Sequence, residues 1–122
     1  MRKILLSINP EHVSNILNGT KKYEFRKVRC KEPISEILIY STSPVMKVVA
    51  SASVKNVLDS SPEALWAVTH EWAGIEKEFY DRYYRDSNRA IAYELGKITI
   101  FKEPRPLEEY GILHAPQSFA YI

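Results

Sequence analysis

Cysteine occurs once in the 122 residues, at Cys30, so no internal disulfide can form. Lys27, Arg29 and Lys31 surround it, and such cations favour a thiolate, although a lone thiol is ordinarily a bystander. Histidine is scarce as well. His12, His70 and His114 stand far apart and no two share a metal-ligand spacing, so no metal site is expected. No run of about 18 apolar residues occurs, and no membrane-spanning helix is expected. The basic-then-apolar start, Met1 to Pro10, is too short for a signal peptide and reads as a first strand, which points to the cytoplasm. There is no Walker A loop, Rossmann glycine pattern, Gly-x-Ser-x-Gly elbow or His-Glu-x-x-His. Those enzyme classes find no support, and no cofactor is expected. Internal repeats and low-complexity tracts are also missing.

What is present suffices for a single domain over residues 1–122 with a real core. Eight tyrosines and two tryptophans argue against disorder. The net charge of +2 hides an uneven split. Residues 1–58 hold ten Lys/Arg against four Asp/Glu, and residues 59–122 hold seven against eleven. Lys21, Lys22, Arg26, Lys27, Arg29 and Lys31 crowd one segment, opposed only by Glu24. Such a block attracts phosphate, and binding through it would weaken with salt. A solvated basic strand and loop is the plain alternative. The acidic second half is either solvated helix surface or a face on which a second copy pairs as a homodimer.

Ile4, Leu6 and Ile8 alternate as a buried strand. Asn9 as N-cap and Pro10 in the first turn open a helix, which Glu11 suits through its dipole. Val13, Ile16 and Leu17 share its face, and Gly19 stops it near Asn18. A strand over 22–28 follows, with Tyr23 and Phe25 facing the core and Lys22, Glu24 and Arg26 facing out. Lys21 sits at the mouth of the turn. Strands are also expected over 34–42 and 47–58, where the small Ala50-Ser51-Ala52-Ser53 centre predicts a bend or close packing. Ser61 caps a helix that Gly74 ends, and a second short helix covers 76–84. The Phe79, Tyr80, Tyr83, Tyr84 stripe of that helix invites base stacking but more simply packs on a sheet. Residues 90–101 read as a strand pair or one strand interrupted at Gly96-Lys97 and broken at Glu103-Pro104-Arg105-Pro106. A short helical piece over 107–112 and an edge segment over 116–122 close the chain. This order gives an α+β fold, a mixed sheet curled into a pseudobarrel with one helix after the first strand and two inserted helices.

Gly19, Lys21, Glu24 and Arg26 spell G-x-K-x-x-E-x-R. In this the stretch resembles the ASCH domain (activating signal cointegrator homology), a branch of the PUA-like superfamily. The opening strand and helix, the late Ala90 to Leu95 strand and Pro116-Gln117-Ser118-Phe119 resemble further parts of that family. The resemblance implies the PUA-like pseudobarrel. It also implies that the loop at Ser41-Thr42-Ser43 lies near Lys21, where Ser41 or Ser43 could bind phosphate or a base edge. Otherwise these hydroxyls simply turn the chain.

Three readings compete. In the first, the domain binds RNA and serves regulation of transcription or translation, as the resemblance implies. Lys21 and Arg26 meet phosphates, Lys22 adds attraction, and Glu24 orients the two cations or accepts from a base amino group. In the second, the site is hydrolytic. The amidohydrolase branch of the family places a threonine nucleophile where this chain has Glu24, so that chemistry does not carry over. A ribonuclease would use Glu24 as base and Lys21 to stabilise the phosphorane, with Gln117 and Ser118 as donors, and an ion pair would weaken Glu24 as a base. In the third, the domain recognises a free nucleotide or a partner's edge strand. RNA binding centred on Lys21, Glu24 and Arg26 is the reading favoured by the sequence.

Overall fold

A computed structural model describes residues 1–122. Ile4, Leu6 and Ile8 enter the core from β1 (Arg2–Ile8) as their alternation predicts, but Leu5 is buried too. The reason is that both faces of this strand are covered. Ile4, Leu6 and Ile8 pack with Ile37, Ile39 and Ile91 on one side, whereas Leu5 packs with Leu38, Tyr40 and Val48 on the other. Leu107, Tyr110 and Ile112, from a 3-10 turn and the residues after it, roof the second cluster.

Helix α1 (Pro10–Leu17) follows β1, and β2 (Tyr23–Arg26) is shorter than the 22–28 expected. Asn9 occupies the cap position without a side-chain bond, and Gly19 takes φ 87° just past the end. Then come β3 (Ile34–Ser41), β4 (Lys47–Ser60), α2 (Pro62–Thr69), α3 (Lys77–Tyr83), β5 (Ala90–Arg105) and β6 (Phe119–Tyr121). Ser61 caps α2 by accepting from the Ala64 amide, as its sequence predicts. That helix ends five residues before Gly74. The buried Thr69 hydroxyl donates to the Leu65 carbonyl, and His70–Trp72 continue as a 3-10 turn.

The six strands run in the order β2-β5-β4-β3-β1-β6, with β1 and β3 the parallel pair. β5 is one strand, neither a pair nor broken at Pro104. Its pairing with β4 jumps from Ala50–Ile100 to Val48–Arg105, so Pro104 falls in an irregular stretch that needs no ladder amide. The sheet curls until β2 approaches β1, four places away in the order. The Arg26 guanidinium then donates to the Ser7 carbonyl across the seam at 3.0 Å. This is the α+β pseudobarrel expected.

Helices α2 and α3 pack on the β2–β5 corner through Leu65, Tyr80, Tyr84, Phe25, Ala90 and Ala92. Leu65 is fully buried there. Replacing it with alanine should lower the unfolding free energy by about 2–5 kcal/mol in urea titration. A loss under roughly 1 kcal/mol would show that the helix pair is only loosely seated.

Candidate functional site

The chain turns after Gly19, and Asn15 fixes the turn. Its carbonyl accepts from the Thr20 and Lys21 amides at 3.1 and 3.0 Å, and its side chain donates to the Gly74 carbonyl at 3.2 Å. Lys21 stands at the mouth of this turn as expected, but its side chain turns inward. It is 3% exposed, and its Nζ donates to the Ala73 carbonyl at 2.8 Å. Gly74 makes this possible. With φ +69°, it lies so close that a Cβ would stand 2.3 Å from Lys21 Cβ. Burial lowers the Lys21 pKa below its usual value, Arg26 adds to that, and Glu24 opposes it.

Glu24 does not pair with Lys21. Its carboxylate accepts from Arg26 Nε and Nη2 at 3.1 and 2.8 Å, with both side chains largely buried. Glu24 thus faces inward, against the expectation that its strand face is solvated. Phe25 on the opposite face is covered by the helix pair, while the Glu24 face looks into the seam of the curled sheet.

Lys21, Glu24 and Arg26 line one cavity of about 250 Å3, together with His12, Ser7, Phe79 and Tyr83. The aromatic stripe of α3 is thereby divided. Tyr80 and Tyr84 pack in the core, and Phe79 and Tyr83 face the cavity. His12 is the lining residue that sequence reasoning missed. Its ring meets Phe79 edge-on at 5.3 Å, and its Nδ1 is buried without a partner. Burial and then Lys21 push its pKa below the usual value, which favours a neutral imidazole. A single histidine without a metal partner gave no signal. The one hint was its place on the helix that Gly19 joins to the signature.

No protein-family profile matches the chain. The crystal structure of ASCH from Zymomonas mobilis superposes with a TM-score of 0.89 at 25% identity, covering 98% of this chain and 87% of that one. An ASCH domain-containing ribonuclease from Zymomonas mobilis subsp. mobilis is 28% identical over 96 residues, which is 77% of this chain and 64% of the relative. In fold and in sequence this chain resembles the ASCH domain. A large ribosomal subunit protein uL22 of Ureaplasma parvum serovar 3 is 27% identical over 120 residues, and the chain spans 39% of its length.

Other residues of the signature region are dispersed. Lys22 is exposed and lies 4.1 Å over the Trp72 ring. Lys27 lies 4.9 Å over Tyr83, and Arg29 pairs with Asp59 at 3.5 Å beside Arg89. Cys30 is buried and accepts from the Tyr93 hydroxyl at 3.1 Å, and burial pushes its thiol pKa up, so it is no reactive thiol. Ser41 is buried in β3 opposite Ile8, and Ser43 is exposed in the following turn, so neither lines the cavity. Gln117 and Ser118 are exposed and also stand outside its lining. Their segment reaches the rim through backbone. The Ser7 hydroxyl donates to the Pro116 carbonyl at 2.6 Å, and the Ser7 amide donates to the Ser118 carbonyl at 3.4 Å.

The Lys21 environment has a pH signature. Its folded pKa is below the ordinary lysine value of 10.5, so the unfolded chain binds the proton more tightly between the two values. The charge penalty is full below the folded pKa and vanishes as pH rises toward 10.5. Wild-type stability relative to Lys21→Met should therefore increase from neutral pH to 10.5 in paired urea titrations. A flat difference would mean that the ammonium is solvated.

Proposed function

We propose that this domain binds single-stranded RNA and takes one unstacked nucleotide into the cavity. The observation that carries the reading is the charge left over inside it. Arg26 and Glu24 neutralise each other, His12 favours the neutral form, and the Lys21 ammonium has only uncharged close partners, the Ala73 carbonyl and the Phe25 ring. A buried cation without a counter-ion is costly, and an entering phosphate or electron-rich carbonyl relieves that penalty. Phe79 and Tyr83 supply the aromatic wall on which a splayed base stacks. At about 250 Å3 the cavity suits a base or ribose phosphate rather than a folded RNA element. Regulation of transcription or translation rests on the ASCH resemblance.

Hydrolysis at the same cavity is the second reading, and His12 favours it. A neutral imidazole beside Lys21 can accept the proton of a ribose 2′-hydroxyl, whereas Glu24 is occupied by Arg26. The name of the ribonuclease relative points the same way.

Labelled single-stranded RNA incubated with the pure protein tests both readings, with binding and product size followed on one sample at two salt concentrations. Lys21→Ala should weaken binding and reduce the salt slope by about 0.7, the value for one phosphate contact on a single strand. Phe79→Ala should cost about 1–3 kcal/mol of affinity. Unchanged affinity in both variants would sink the cavity assignment. Cleavage that His12→Gln abolishes without loss of binding would establish the hydrolytic reading instead.

A further inference from the structure

Lys21 and Lys22 leave an extended chain in different directions. Lys21 lines the cavity and also the edge of a second concavity of about 760 Å3, in which Lys22 lies over Trp72. Lys55 and Lys97 line this groove as well, and Glu94 is its one acidic lining residue. Two irregularities in the β4–β5 ladder bring these lysines there. Val54 pairs with Leu95 and Asn56 with Glu94, so Lys55 is the extra residue of a bulge. Ala52 pairs with Ile98, which leaves Gly96 and Lys97 opposite Ser53 alone. The Ser53 hydroxyl accepts from the Lys97 amide at 2.8 Å, and a Cβ on Gly96 would stand 2.5 Å from that oxygen. Bulges re-aim side chains, and here both present a lysine to one groove.

None of the six salt bridges involves Lys22, Lys55 or Lys97. Three exposed, unpaired ammonium groups converge around a tryptophan that is 45% exposed. That combination of cations and a half-exposed aromatic ring, with Lys22 over one face, suits the backbone and bases of a single strand. The depression on the other flank of the cavity offers four glutamates (Glu11, Glu71, Glu76 and Glu78) against Arg82, and it repels phosphate.

We infer that this groove is a second RNA contact, which takes the phosphodiester backbone of nucleotides flanking the one in the cavity and stacks a base on Trp72. The inference rests on the RNA-binding reading of the cavity and adds a strand-length requirement to it. Binding of an octauridylate and of a uridine dinucleotide, measured for wild type, Lys21→Ala and Lys55→Glu/Lys97→Glu, tests it. Both groove lysines are exposed, and thermal unfolding checks that the double variant stays folded.

The double variant should bind the octauridylate on the order of tenfold more weakly, with a salt slope shallower by about 1.4 for two lost phosphate contacts. It should bind the dinucleotide like wild type. Equal octauridylate binding by wild type and the double variant, with loss in Lys21→Ala, would overturn the groove and leave the cavity reading standing. Wild type that binds neither RNA would overturn both. An acidic peptide that binds wild type and not the double variant, with RNA binding unaffected, would make the groove a protein site and overturn the inference.

Discussion

One largely buried arginine closes this fold. Arg26 spans the seam of the curled sheet, holding the Glu24 carboxylate on its own strand and the Ser7 carbonyl on the first strand. An unpaired guanidinium at that depth would be strongly destabilising, so a carboxylate beside it is a structural necessity. The geometry divides the G-x-K-x-x-E-x-R pattern into parts with different duties. The Glu–Arg pair builds and closes the barrel wall. Gly19 lets the chain leave the helix at φ 87°. Lys21 is the member whose charge the fold leaves unanswered.

Much of this could be read from residue order, and the failures have physical causes. The Gly19 stop, the Ser61 cap and the mixed pseudobarrel depend on local conformational preference and on alternation, which sequence displays directly. Alternation misled at Glu24 because it assumes one wet face. The helix pair covers the Phe25 face, and the curled sheet turns the other face inward. β5 outran its expected stop because a register jump accommodates Pro104, and register depends on the partner strand. The basic block was visible as a count, but not its division. Lys21 and Arg26 went inside, Lys22 and Lys27 onto aromatic rings, and Arg29 onto Asp59. His12 carried no pattern at all. It matters through neighbours that lie close only after folding.

The inserted helices belong to the site as much as the signature does. Three consecutive residues after α2 each accept a hydrogen bond from the signature side. The Trp72 carbonyl accepts from the Lys22 backbone amide at 2.8 Å, the Ala73 carbonyl from Lys21 Nζ at 2.8 Å, and the Gly74 carbonyl from Asn15 Nδ2 at 3.2 Å. Helix α3 then contributes Phe79 and Tyr83 to the cavity. Lys21 therefore takes its position from a turn 52 residues away in sequence, and a signature stretch without that insertion would carry a solvated lysine like any other. The same three residues place Trp72 and Lys22 in the groove and Lys21 in the cavity. One short turn therefore borders both concavities, and its carbonyls fix the residues that line each.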